Sequence, residues 1–262
     1  MRRFFIALTL LTLVGCATSP TSTVPPKDKE LSRTSNLART AFEDGATARA
    51  IDLYGKALNR ARATDDATEI GNAAYNLALC HTILGQLDQA SVSLVEATAA
   101  FRRRGSNPAD VLLLEATVAQ REGKSEQALS LADQVLSASS DENDLFQVAL
   151  LKGTIACQQD DPARARTALA EADRHHIANA ALLAARERLV GNILLLEGNP
   201  AEAAAAFDRA AALFQKAKRY RDMALTLRRA GEAYQEAGDT QRAEDRLFRA
   251  RRSLAAQGEK TE

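Results

Sequence analysis

The chain has 262 residues, 46% of them hydrophobic and 26% charged, the composition of a folded globular protein of one or two domains. Lys plus Arg and Asp plus Glu each total 34, so no global charge is available to recruit nucleic acid. With no Trp, three Cys and three His, the chain is also poor in the groups from which most catalytic and metal sites are built.

The N-terminus carries Arg2 and Arg3, then an apolar run from Phe4 to Val14, too short to span a bilayer and laid out like a secretory signal. Its end, Leu13-Val14-Gly15-Cys16, resembles the lipobox of bacterial lipoproteins. The resemblance implies removal of residues 1–15, acylation of Cys16 and, because Ala17 is not Asp, sorting to the periplasmic face of the outer membrane. An ordinary signal peptide, or a buried N-terminal helix, with a chance Cys is the competing reading. Cleavage leaves a formal net charge of −2. Residues 17 to 30, with Pro20, Pro25, Pro26 and alternating Lys27, Asp28, Lys29 and Glu30, lack apolar periodicity. Residues 16–30 thus read as an acylated Cys and a flexible tether reaching up to about 45 Å at roughly 3.1 Å per residue.

From residue 31 amphipathic helical stretches alternate with breaks that recur at Gly45, Gly85, Gly123, Asp160, Gly198 and Gly238, spaced by 37 to 40 residues. Five residues after each break stands Ala50, Ala90, Ala128, Ala165, Ala203 or Ala243. Four further on is a larger residue, Tyr54, Leu94, Leu169, Phe207 or Leu247, except at Ala132. Seven before each break is Ala38, Ala78, Ala116, Gly153, Gly191 or Gly231. This pattern resembles the tetratricopeptide repeat, a helical hairpin in which small residues let helices A and B approach while one bulky residue of helix B fills the gap. The closest copy runs from Leu227 to Ala250; the period exceeds the common 34, as in longer-repeat members.

The resemblance implies an all-α, right-handed α-solenoid of about six hairpins over residues 31–257, followed by a disordered tail at 258–262. The predicted A/B pairs are 31–44/47–64, 66–84/87–104, 108–122/125–138, 141–159/162–174, 178–197/200–217 and 220–237/240–257. Turn chemistry agrees with this register. Gly closes helix A in the left-handed conformation, and Asn199-Pro200, Asp161-Pro162 and Asn107-Pro108 supply an N-cap followed by Pro at N1. Helices stacked 8 to 10 Å apart predict an elongated body of roughly 60 Å. Arg242, Arg246, Arg249, Arg251 and Arg252 give the last helix a polar outer surface suited to ending the stack.

Cys80 and Cys157 fall two repeats apart, about 20 Å on that spacing, and are read as buried free thiols. Cys80-His81 and His175-His176 lack the spacing of a metal site, and no nucleophile, phosphate-loop or carboxylate-pair motif is present. The chain is therefore read as non-catalytic, without metal or cofactor.

What remains is a surface. In the tetratricopeptide family helix A lines the concave groove, and the corresponding positions are Asn72, Tyr75 and Thr82, then Asp110, Thr117 and Arg121, then Gln147 and Thr154. Repeat five adds Arg188 and Asn192, and repeat six Arg228, Glu232 and Gln235. Asn and Arg suit an extended peptide, with amides pairing to its backbone and Arg to its carboxylates; solvated helix faces are the plainer reading. Arg188 and Asn192 echo the first half of the family's carboxylate clamp, but Arg229 stands where the next repeat needs Asn and no further repeat follows in the register, so a C-terminal carboxylate clamp of the chaperone-adaptor type is not expected. Residues 106–170 carry five basic and ten acidic side chains, residues 215–262 twelve and eight, a polarity that can orient a partner. The expectation is an outer-membrane-anchored scaffold holding envelope proteins or peptide segments in its groove through Asn72, Tyr75, Arg121, Arg188, Asn192 and Arg228. The alternative is a periplasmic receptor for short free peptides.

Overall fold

The computed structural model describes residues 28–106 and 108–257; the signal peptide, Cys16, the tether up to Lys27, Asn107 and the tail at 258–262 lie outside the described residues. All regular structure among the described residues is helical, in six consecutive hairpins. These are α1 (Lys29–Glu43) with α2 (Thr47–Ala63), α3 (Ala67–Ile83) with α4 (Leu87–Arg103), and α5 (Ala109–Arg121) with α6 (Ser125–Ala138). They continue with α7 (Glu142–Gln158) and α8 (Pro162–Ala172), α9 (Ala180–Leu196) and α10 (Pro200–Lys216), and α11 (Tyr220–Glu236) and α12 (Thr240–Ala256). Every boundary falls within two residues of the repeat-based prediction.

Two local assignments change. Asp28, Lys29 and Glu30 belong to the start of α1 and not to the tether, because the Asp28 carboxylate accepts the backbone N–H groups of Glu30 and Leu31 at 3.0 Å each. Arg60 of α2 donates to the same carboxylate at 2.8 Å. Pro108 is the N-cap of α5, one position earlier than N1. Pro162 and Pro200 do occupy the first turn of their helices.

The breaks have the predicted chemistry. Gly45 sits at φ +75°. Its N–H donates to Phe42 O, and that of Ala46 to Ala41 O, each at 2.9 Å, a pair of bonds that satisfies the last carbonyls of α1. Asp160, the one break without Gly, adopts the same left-handed conformation at φ 54°.

Packing explains the small-residue register. Ala50, Ala90, Ala128, Ala165 and Ala203 are fully buried and Ala243 nearly so. A Cβ added to Gly191 would lie 2.6 Å from the Phe207 ring, and one on Gly231 2.7 Å from Leu247. The glycine on helix A and the bulky residue on helix B of one hairpin are therefore two halves of one contact. The core is not a single mass but a series of clusters strung along the solenoid. Arg246 ties α12 to Asp208 of α10 through bonds of 2.8 and 3.0 Å, and Phe248 on the same helix is exposed.

The body is not an open rod with distant ends. Lys218, between α10 and α11, reaches Asp44 at the first turn with an Nζ–Oδ1 distance of 2.9 Å, across 174 residues of sequence. A Cβ on Gly45 would lie 2.6 Å from Lys218 O, and one on Gly85 3.0 Å from the Arg221 guanidinium. The solenoid curls until the loop ahead of its sixth hairpin meets the turns of its first two. Stacking distance alone could not predict this, because the curl is the sum of small rotations between repeats.

Candidate functional site

The curl forms a half-open concave cavity of about 250 Å³. Four of the six A helices contribute a stripe at helical spacing: Leu79, Thr82 and Ile83 from α3; Leu114, Thr117 and Arg121 from α5; Leu150, Leu151 and Thr154 from α7; Leu182, Ala185 and Arg188 from α9. Phe214 of α10, then Arg219 and Asp222 at the start of α11, complete the wall. Apolar side chains make up most of this surface, with hydroxyl, amide and charged groups set among them.

The charged groups converge. Arg121 Nη1 donates to the backbone carbonyl of Thr82 at 2.7 Å, at the C-terminal end of α3, where the helix dipole favours a cation. The Arg188 guanidinium lies 5.4 Å over the Phe214 ring, with Nη1 3.9 Å from Asp222 Oδ1. Arg219 Nη2 is 2.5 Å from Asp222 Oδ2, while its Nε is buried with no hydrogen-bond acceptor among the described residues.

Burial would raise the Asp222 carboxyl, but Arg219, Arg188 and Arg121 outweigh it and hold it below the usual carboxylate range. Burial pushes Arg121 down to about 10, a shift that Asp222 opposes and the neighbouring Arg188, Arg219 and Arg221 reinforce. Arg188 is also pushed down, by burial and then by Arg219 against the pull of Asp222. At Tyr75, burial and then the charges of Asp110 and Asp144 raise the phenol, so the two carboxylates act on the cavity's other polar wall.

Of the residues expected in the groove, Tyr75, Arg121 and Arg188 line this cavity, together with Thr82, Asp110, Thr117, Gln147 and Thr154. Asn72, Asn192 and Arg228 do not. Asn72 is exposed and accepts from Asn76 at its backbone carbonyl, at 2.8 Å. Asn72 and Asn192 stand one helical turn along from Tyr75 and Arg188, past the cavity wall. Arg228 is exposed and lies 3.8 Å from Glu232. It is six residues beyond Asp222, about 240° around a helix of 3.6 residues per turn. Arg219 and Asp222 were absent from the sequence-based set because a register counted from the turn assigns groove positions to the body of helix A. These two sit at its cap and first turn; their only local sign is the Arg-x-x-Asp spacing.

Cys80 is buried and Cys157 only half-buried, and both are free. Burial raises their thiols to about 12 and about 11. Among the described residues no His, Cys, Asp and Glu side chains group as a metal site, and no helix is long and apolar enough to cross a membrane.

The hairpins, their left-handed breaks and their inner cavity define the class: a tetratricopeptide-like helical-repeat solenoid. No protein-family model and no curated protein matches the chain. Solved structures do. The Rap protein complexed with competence and sporulation factor aligns with a TM-score of 0.60 at 16% identity, over 86% of this chain and 76% of its own. PilW, a type IV pilus biogenesis factor, aligns with a TM-score of 0.55 at 14% identity, over 87% and 95%. The apo form of RapI gives 0.51 at 12% identity, over 88% and 67%. At these identities the likeness establishes the fold.

Proposed function

We propose that the protein is a non-catalytic interaction scaffold that captures extended segments of partner proteins in the concave cavity, and that Cys16, once acylated, anchors it to the periplasmic face of the outer membrane. The observation that carries the binding reading is the cavity itself, an apolar concavity with a few convergent polar groups, the usual form of a binding site. Its volume is below the roughly 300 to 1,000 Å³ of sites for drug-sized ligands, so it accommodates a chain end or a few side chains and not a folded domain. The anchoring reading is supported by the Leu13-Val14-Gly15-Cys16 sequence. Several acyl chains hold a protein at a bilayer where one does so only marginally.

A photo-crosslinking residue introduced at Tyr75 should yield partner adducts in the cell envelope, and one at the exposed Glu244 of α12 should not. Adducts at Glu244 alone would put the interface on the outer face and defeat the cavity reading. Metabolic labelling should show palmitate on the wild type and none on Cys16→Ala, and an unlabelled wild type would refute the anchor.

The Asp44–Lys218 closure favours a second reading, a receptor that encloses short free peptides. Peptide eluted from the natively purified protein and identified by mass spectrometry would select it.

A further inference from the structure

The outer helix of the second hairpin departs from its five counterparts. Val92 and Val95 of α4 are 72% and 71% exposed, barer than any other large apolar side chain among the described residues. Counted from the same breaks, the position of Val92 holds Asp52, Ser130, Thr167, Ala205 or Asp245 in the other hairpins, none of them large and apolar. With Asp88, Ala99 and Arg102, all exposed, the two valines form one stripe with steps of four, three, four and three residues, the spacing of a helix that packs along another helix. Residues beside the stripe are already engaged within the chain. Glu96 accepts from Arg62 of α2 at 2.7 and 2.6 Å, and Ser91 donates to Glu122 at 3.3 Å. The side chains of Asp88 and Arg102, at the two ends of the stripe, have no hydrogen-bond or ion-pair partner among the described residues.

We infer that α4 is a self-association surface on which a second copy of this chain docks antiparallel, valine stripe against valine stripe. The charges at the stripe's ends single out that occupant. Asp88 and Arg102 each lie seven residues from Val95, about 10.5 Å along the helix in opposite directions. A two-fold axis through Val95 therefore sets Asp88 of each copy against Arg102 of the other, so one symmetric contact satisfies both ends at once. Val92, Val95 and Ala99 supply the apolar burial, and the two Asp88–Arg102 pairs fix register and direction. A stripe of five residues falls short of the roughly 800 Å² per partner of a stable complex, which makes the dimer weak and reversible. No α4 side chain lines the cavity, so this surface stands independently of the capture reading.

The test uses purified full-length chain at about 100 µM and a short bismaleimide crosslinker. Val95→Cys, at the axis, should give crosslinked homodimer at least about tenfold faster than wild type, whose own cysteines set the background, because pairing raises the local concentration of the two thiols. Ala170→Cys, the exposed register equivalent on α8, should stay at that background. Adding Asp88→Arg to Val95→Cys should slow crosslinking by about fivefold or more, since two attractions become repulsions, and further adding Arg102→Asp should restore it. Equal rates for Val95→Cys and Ala170→Cys would overturn the self-association surface. Failure of Asp88→Arg to slow the reaction, or of Arg102→Asp to restore it, would overturn the two-fold pairing. All four positions are exposed, and a circular dichroism spectrum matching wild type checks that each variant keeps its helices.

Discussion

Asp222 is the residue on which the cavity's electrostatics turn. Its carboxyl is held low in the folded chain, so the stability it contributes is present above the unfolded carboxylate pKa of about 3.9 and is lost as pH falls through the lower folded value. Removing one partner of a buried charge cluster costs about 3 to 5 kcal/mol, and the low end applies here because a third of the Arg188 side chain is exposed. Asp222→Asn should therefore lower stability in urea by about 3 kcal/mol at pH 7, with the gap to wild type narrowing on acidification below about pH 4. Curves that coincide at pH 7 would mean the three guanidiniums are solvated well enough to need no counter-charge. Nothing in the sequence around Asp222 marks it as buried. Its burial follows from the approach of α9 and α5, which bring Arg188 and Arg121 across more than 30 and 100 residues of chain.

The hairpin is the element in which sequence and structure agree most closely. Ala203 is fully buried among Phe207, Ala230 and Tyr234, so Ala203→Leu has no space to fill and should cost about 1 to 3 kcal/mol by overpacking the fifth and sixth hairpins. A thermal melt matching wild type would show the helices parting freely there. The break at Asp160 predicts the opposite sign. A non-Gly residue in the left-handed region carries a backbone penalty of roughly 1 to 2 kcal/mol, part of which Gly returns as unfolded-state entropy. Asp160→Gly should then stabilise the protein by up to about 1 kcal/mol, read as a raised melting temperature. An unchanged or lowered value would mean the Asp160 side chain supplies more than the backbone loses. The burial of Ala203 and the left-handed break at Asp160 were legible beforehand because an aligned column of Ala or Gly states how much room each position has; that Ala230 and Tyr234 of the next hairpin close over Ala203 was not.

For the whole molecule the decisive contact is between the first turn and the loop ahead of α11. Gly45 and Gly123 have similar left-handed backbones, φ +75° and +79°, but a Cβ on Gly45 meets Lys218 O at 2.6 Å whereas one on Gly123 meets nothing within 4 Å. Each Gly→Ala change incurs the same local strain, about 1 kcal/mol. Only Gly45→Ala should also part the closure, increasing the radius of gyration in small-angle X-ray scattering while Gly123→Ala keeps the wild-type value. Equal radii for both variants would show that the closing contact has slack. The Asp44–Lys218 pair adds little, being exposed on both sides, so closure depends on the shape of the two backbones more than on that ion pair.

The amino-acid sequence determined the twelve helices, their pairing, the left-handed breaks and which Ala and Gly are buried, because each depends on spacings of three, four or some 38 residues that repetition makes visible. It also identified Tyr75, Arg121 and Arg188 as inward-facing, since their place in helix A follows from the register. Only the tertiary structure decided that Asn72, Asn192 and Arg228 fall outside the cavity, that Arg219 and Asp222 fall inside it, and that the solenoid closes on itself. Those outcomes depend on the angle between successive hairpins. A small rotation at each seam leaves no periodic trace in the sequence, yet summed over six hairpins it brings Asp44 against Lys218 and gathers three guanidiniums around one carboxylate.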